Sequence, residues 1–218
     1  MASGGYELRL IEDSVASGGE LVLPPDGINR VVYVAHGAVA IDGRDLGDDQ
    51  AWHGRGAARI AAASTGASLW RWELAPAASA VVLDMGAAVA SNLKLRRGLA
   101  WPIAESLLMR CDSVAFPPGG CAYRHTHQGP GIRCLIEGAI RIDTEGASRC
   151  YAPGGAWFEA GPAPVFALAA DRPTRFIRVM VLPARLKGLS SIAYVNPEDR
   201  DKPKSQRYKV YVDAPIAL

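Results

Sequence analysis

The chain has 218 residues, enough for one generous domain or two small ones. Its 49% hydrophobic and 21% charged residues mark a globular chain with a real core and exclude intrinsic disorder. Twenty-four Lys and Arg against 22 Asp and Glu leave +2, so no basic field points to nucleic acid or an anionic membrane.

The N-terminal residues lack the basic and apolar regions of a signal peptide, and the Ala-rich stretch 75–90 is too interrupted for a membrane span. Cys111, Cys121, Cys134 and Cys150 form no CxxC pair. Reduced, mostly buried thiols and a cytoplasmic location are therefore expected.

Strand signals dominate. Segments 31–34, 39–41, 81–83, 140–142 and 176–182 are β-branched or alternating and end at Gly, Pro or Asp. Residues 86–109 read as a link followed by the first strand of a second half. Residues 196–209 mix basic and acidic side chains and read as a solvated segment before a last strand at 209–212.

An internal repeat organises the chain. RVVYVAHGAVAI at 30–41 aligns with GIRCLIEGAIRI at 131–142, each a strand, a Gly and a second strand. Downstream, Ala51-Trp52-His53 answers Ala156-Trp157-Phe158, and LWRWEL at 69–74 answers FIRVMV at 176–181. The order of matched features favours duplication.

The chemistry concentrates in FPPGGCAYRHTHQGPG at 116–131. His125 and His127, one residue apart on a strand, project from the same face and can share a divalent ion through neutral imidazole nitrogens. By the same alternation Tyr123 shares their face, either as a phenolic donor or as a packing aromatic. Glu159, in the apolar run AWFEA, needs compensation if it is buried. It is either a metal ligand, the ion-pair partner of Arg133 or Arg178, or surface-exposed. Arg133 points into the barrel, to clamp a carboxylate, or out to its mouth. Gln128 is an extra ligand or a turn residue. Trp157 reads as core.

The run Gly119 to His-x-His, the strand ending in Glu137-Gly138, and the Pro153-Gly154 and Gly161-Pro162 pairs resemble the cupin superfamily over about 114–183. The resemblance implies an all-β chain of two jelly-roll barrels in tandem. Residues 1–95 would be a degenerate, metal-free barrel and 96–218 the barrel with the site. It also implies an interior cavity that often holds iron, manganese, nickel or zinc, and a homodimer.

Two family ligands are missing. The usual Glu, seven residues before the turn Gly, falls on Gly131, and the usual further His falls on Val165 or, in another alignment, Phe158. The expected metal set is then His125, His127 and Glu159, with Arg133 and Tyr123 as catalytic side chains. Two His and one carboxylate favour iron. The leading expectation is a metal-dependent enzyme, an oxygenase before an isomerase or lyase, acting on a small anionic or aromatic molecule. The alternatives are a non-catalytic ligand-binding or sensory cupin with an eroded site, and a structural storage-like bicupin.

Overall fold

The computed structural model describes residues 5–99 and 106–218. Within these the chain is nearly all strand, as expected, with only two short 3₁₀ turns, Ala184–Leu186 and Pro197–Arg200. No helix among the described residues is long and apolar enough to cross a membrane. The chain divides into two compact units, Met1–Pro102 with Ile216–Leu218, and Ile103–Pro215.

The first unit contains β1 (Tyr6–Val15), β2 (Glu20–Leu23), β3 (Asn29–Ile41), β4 (Arg44–Leu46), β5 (Gln50–Arg55), β6 (Ala58–Pro76) and β7 (Val89–Leu99). They form one seven-stranded sheet of order β4-β3-β6-β1-β7, with β2 on β6 and β5 on β3. A single sheet results because β3 and β6 are long enough to pair twice. Register shifts at His36 and Gly37–Val39 bend the pair without breaking it. The expected strand at 81–83 is absent; those residues carry no regular structure. Strand β7 instead pairs with β1 and carries the first unit past residue 95. Residues 100–105, part of the expected link, lie outside the described residues.

The second unit contains β8 (Leu107–Phe116), β9 (Cys121–His127), β10 (Gly131–Glu137), β11 (Ile140–Thr144), β12 (Ala147–Tyr151), β13 (Ala156–Glu159), β14 (Val165–Ala169), β15 (Thr174–Pro183), β16 (Ile192–Tyr194) and β17 (Arg207–Ile216). They form two five-stranded sheets, β13-β10-β15-β8-β17 and β12-β11-β14-β9-β16. Val114, Phe116, Leu135, Ile142, Trp157, Val165 and Phe176 build its apolar core.

The sequence repeat is also a repeat of register. Across the second unit, Asp112, Arg178, Arg133 and Trp157 stand side by side on β8, β15, β10 and β13. The aligned positions Ile11, Arg71, Val32 and Trp52 stand side by side on β1, β6, β3 and β5. Gly37 and Gly138, the turn glycines of the two copies, share a left-handed backbone, φ 92° and 83°. The polar tail is less solvated than its composition suggests. Asp199 is buried, accepts from Asn196 and binds Lys202 at 2.6 Å, and the last strand starts at Arg207 rather than Lys209. No disulfide joins the four cysteines among the described residues, and only Cys111 and Cys134 are buried.

A Cβ on Gly138 would stand 2.3 Å from Thr174 Oγ1 and 2.4 Å from the Pro173 carbonyl, whereas one on Gly146 (φ 75°) would meet nothing. Gly138→Ala therefore adds steric overlap to the left-handed strain, itself about 1–3 kcal/mol, that Gly146→Ala alone incurs. Urea unfolding should show Gly138→Ala as clearly the more destabilised; equal midpoints would contradict this packing.

Candidate metal and ligand site

The alternation of β9 brings His125 and His127 to the interior, 5% and 4% exposed, with their Nε2 atoms 3.2 Å apart. His125 Nδ1 lies 2.7 Å from the Tyr123 carbonyl. A carbonyl oxygen only accepts, so that ring carries its proton on Nδ1 and presents a bare Nε2 lone pair to His127. Burial holds both imidazoles below their ordinary pKa, against the pull of Glu159; His127 falls to about 3, with Arg133 and Arg178 adding to the effect. Both rings are neutral at pH 7.

Glu159 closes the group. Its Oε2 lies 3.2 Å from His127 Nε2 and 2.7 Å from Arg133 Nη2, and its Oε1 accepts from Trp157 Nε1 at 2.9 Å. Burial alone would raise its pKa. The Arg133 charge and the hydrogen bonds from His127 and Trp157 outweigh that, and the carboxyl sits well below the usual range. Of the readings open from the sequence, the ion pair with Arg133 is the one seen. Arg133 itself points inward, 1% exposed, and donates from Nη1 to the Gly131 carbonyl at 2.7 Å. Burial lowers its pKa to about 10, which leaves it a cation at neutral pH.

Register explains why the carboxylate comes from Glu159. Gly131, where the family resemblance leads one to expect a Glu, is the cross-strand partner of Glu159. A Cβ at Gly131 would lie 2.6 Å from the Val179 carbonyl and 3.0 Å from Arg133 Nη1, so the position has no room for a side chain. Val165, where a further His is expected, pairs with His125.

Two expected residues lie elsewhere. Tyr123 does not face the interior, because β9 shifts register against β14 between Ala122 and His125. Ala122 takes the inward place, and the Tyr123 ring lies against Lys202 and Lys204, 5.1 and 5.5 Å from their Nζ atoms. Gln128 accepts from Arg185 at the surface. Conversely, Arg178 and Asp112 were not expected as a pair. They form a buried bidentate bridge at 2.6 and 3.0 Å next to Arg133, and the Arg178 guanidinium stands 5.7 Å from the Tyr208 ring.

The interior cavity among these groups measures only about 20 Å³, the space of one water. It shares Arg178, Ile192 and Tyr208 with a larger cavity of about 340 Å³ between β16 and β17.

The donors suit a divalent cation as far as the imidazole pair goes. Two neutral nitrogens face each other, and His127 Nδ1 is buried without a hydrogen-bond partner. Among the described residues, however, no group of three or more His, Cys, Asp or Glu side chains is arranged to hold a metal ion. A three-ligand set is not assembled, and the sequence-based preference for iron, which rested on that set, loses its ground.

In the first unit the matching interior is ionic. Arg71 binds Asp13 bidentately at 2.7 and 3.0 Å and contacts Glu73; Arg30 binds Glu73 at 2.9 Å and Asp26 at 2.6 Å. His36 is exposed there and His53 is half-buried.

Solved structures resemble the chain as a whole. The formate complex of oxalate decarboxylase from Lactobacillus farciminis has a TM-score of 0.66 at 13% identity, covering 92% of this chain and 82% of that one. A Bacillus subtilis oxalate decarboxylase studied for its Mn(II) centres gives 0.60 at 13% identity, covering 86% and 74%. A cupin 2 conserved barrel domain protein from Leptotrichia buccalis gives 0.50 at 14% identity, covering 83% and 86%. The chain has the cupin fold. No family model matches this cupin-fold chain, and no curated protein matches its sequence.

Two measurements follow from the buried groups. Glu159→Gln strands the Arg133 cation and should cost about 3–5 kcal/mol of stability; a loss under about 1 kcal/mol would show that the pair is not buried as described. Between pH 6.5 and about 3 the unfolded chain binds a proton at residue 127 that the folded chain does not, so stability falls on acidification. From pH 7 to 5 this residue alone should account for a loss of about 2 kcal/mol, absent in His127→Gln. Equal urea midpoints for the wild type at pH 7 and 5 would contradict a neutral, buried His127.

Proposed function

We propose that the second unit binds one divalent transition metal at His125 and His127, recruits Glu159 to it, and receives a small anionic or aromatic molecule beside it. The observation that carries this reading is the pair of neutral imidazoles with Nε2 atoms 3.2 Å apart beside the anionic Glu159 Oε2. A proton on His127 Nε2 can serve either His125 Nε2 or Glu159 Oε2 but not both, so with Arg133 on Glu159 the His125 lone pair stays available to a cation. Imidazole and carboxylate donors accept manganese, iron, nickel and zinc alike. The Mn(II) centres of the similar Bacillus subtilis oxalate decarboxylase support manganese as the first ion to try.

Each polar side chain has a role in this reading. The Tyr123 carbonyl fixes the tautomer of His125, so that its lone pair points inward without reorganisation. Glu159 Oε2 has two lone pairs and serves Arg133 and the ion together. Trp157 orients the carboxylate through Oε1. Because Glu159 and Asp112 offset Arg133 and Arg178, the charge that would draw an anionic ligand is the ion's own. The ion, when bound, supplies Lewis acidity toward an oxygen of that ligand.

A second, non-catalytic reading as a ligand-binding cupin is favoured by the 20 Å³ interior, which admits no organic substrate to the histidines without side-chain movement. Calorimetric titration of chelator-treated protein with Mn(II), Fe(II), Ni(II) and Zn(II) distinguishes the two. Near-stoichiometric binding is expected, weakened at least about tenfold in His125→Ala and in Glu159→Gln, or about 1.4 kcal/mol. No binding by the wild type would leave the non-catalytic reading; loss in His125→Ala but not in Glu159→Gln would restrict the ligands to the imidazoles.

A further inference from the structure

We infer that the 340 Å³ cavity between β16 and β17 is a binding site for a small aromatic carboxylate, occupied without the metal. The inference specifies the small molecule of the proposed function and rests on that part of the reading alone. A volume of about 340 Å³ lies at the small end of ligand pockets and suits a single-ring molecule.

Its walls are apolar or aromatic. Leu189, Ile192, Val210, Tyr194 and Tyr208 line it, and three of them are unusually exposed for their type: Leu189 at 59%, Val210 at 56% and Tyr208 at 46%. Such a cluster, held open at the edges of two sheets, marks a surface that a ligand covers.

Its floor is cationic and retains a free donor. Arg178, with its side chain 7% exposed, gives Nε and Nη2 to Asp112 and has no partner on Nη1 among the described residues. Ser190 Oγ already accepts from the Ile192 N–H, which leaves its O–H to donate. At the rim, Lys204 stands 4.6 Å from the Tyr194 ring centroid. Asp112 offsets Arg178 and Asp213 offsets Arg110. Lys204, its Nζ held by the carbonyls of Asp199, Arg200 and Lys202, adds a positive charge to the rim that the Asp199 carboxylate offsets only in part, being shared with Lys202. One carboxylate answers that charge, and one flat apolar ring fills the space between Tyr194, Tyr208 and Val210.

The test uses benzoate as the probe on chelator-treated full-length protein, followed by backbone amide shifts in NMR. Saturable shifts confined to residues 189–210, to β8 around Arg110 and Asp112 and to β15 around Arg178 are expected, with benzyl alcohol binding at least tenfold more weakly. Val210→Glu places a carboxylate in the cavity from an exposed position. It should weaken benzoate at least tenfold while leaving the thermal midpoint and the Mn(II) affinity at wild-type values. No saturation at millimolar benzoate, equal affinity for benzyl alcohol, or an unchanged Val210→Glu would overturn the inference. Benzoate binding only after Mn(II) loading would also overturn it while sustaining the metal reading. Binding without any Mn(II) uptake would sustain it while the metal reading fails.

Discussion

The buried ion pair between Arg133 and Glu159 is the constraint on which the second unit's interior depends. Arg133 stands beside Arg178 in the sheet, so two like charges are fixed on adjacent strands inside a protein. Each is tolerable only because an acid reaches it, Asp112 from β8 and Glu159 from β13. The four charges cancel. Burial, not a net charge, keeps the histidines neutral. A divalent ion entering there would add charge that nothing in the row offsets, and an anionic ligand beside it would supply the balance.

The same row in the first unit shows what changes when the histidines are absent. Arg71 holds the place of Arg178, but Val32 stands where Arg133 would be, and Asp13, Glu73, Asp26 and Arg30 join into a cross-strand network. One architectural register thus carries two chemistries. Closed by ion pairs among strands, the first interior still leaves Glu73 Oε2 buried without an aligned partner. Where two imidazoles replace part of that network, His127 Nδ1 is buried without one as well.

The histidine pair was legible in the sequence because strand alternation needs nothing beyond spacing two. For Arg133 the sequence left the interior and the barrel mouth both open, and the choice offered for Glu159 included the partner it has. Tyr123 was misread for the same reason that His125 was read correctly: alternation assumes an unbroken register, and the shift beside Ala122 inserts a residue that no local composition signals. Arg178–Asp112 and the cavity between β16 and β17 join segments distant in sequence, which pairing alone brings together. Residues 81–83 have strand-forming side chains but no partner strand, and propensity yields to that absence. Asp199 made the tail look solvated until its lysine and asparagine partners folded over it.

The proposed site holds a cation at His125 and His127 while Arg133 keeps its hold on Glu159. Anomalous diffraction from crystals grown with Mn(II), recorded beside crystals of chelator-treated protein, tests it most directly. One anomalous peak within bonding distance of the two Nε2 atoms and adjoining Glu159 Oε2 is expected, with the Arg133–Glu159 contact retained. No peak at that position, or Arg133 swung away from Glu159 in the loaded crystal, would contradict it.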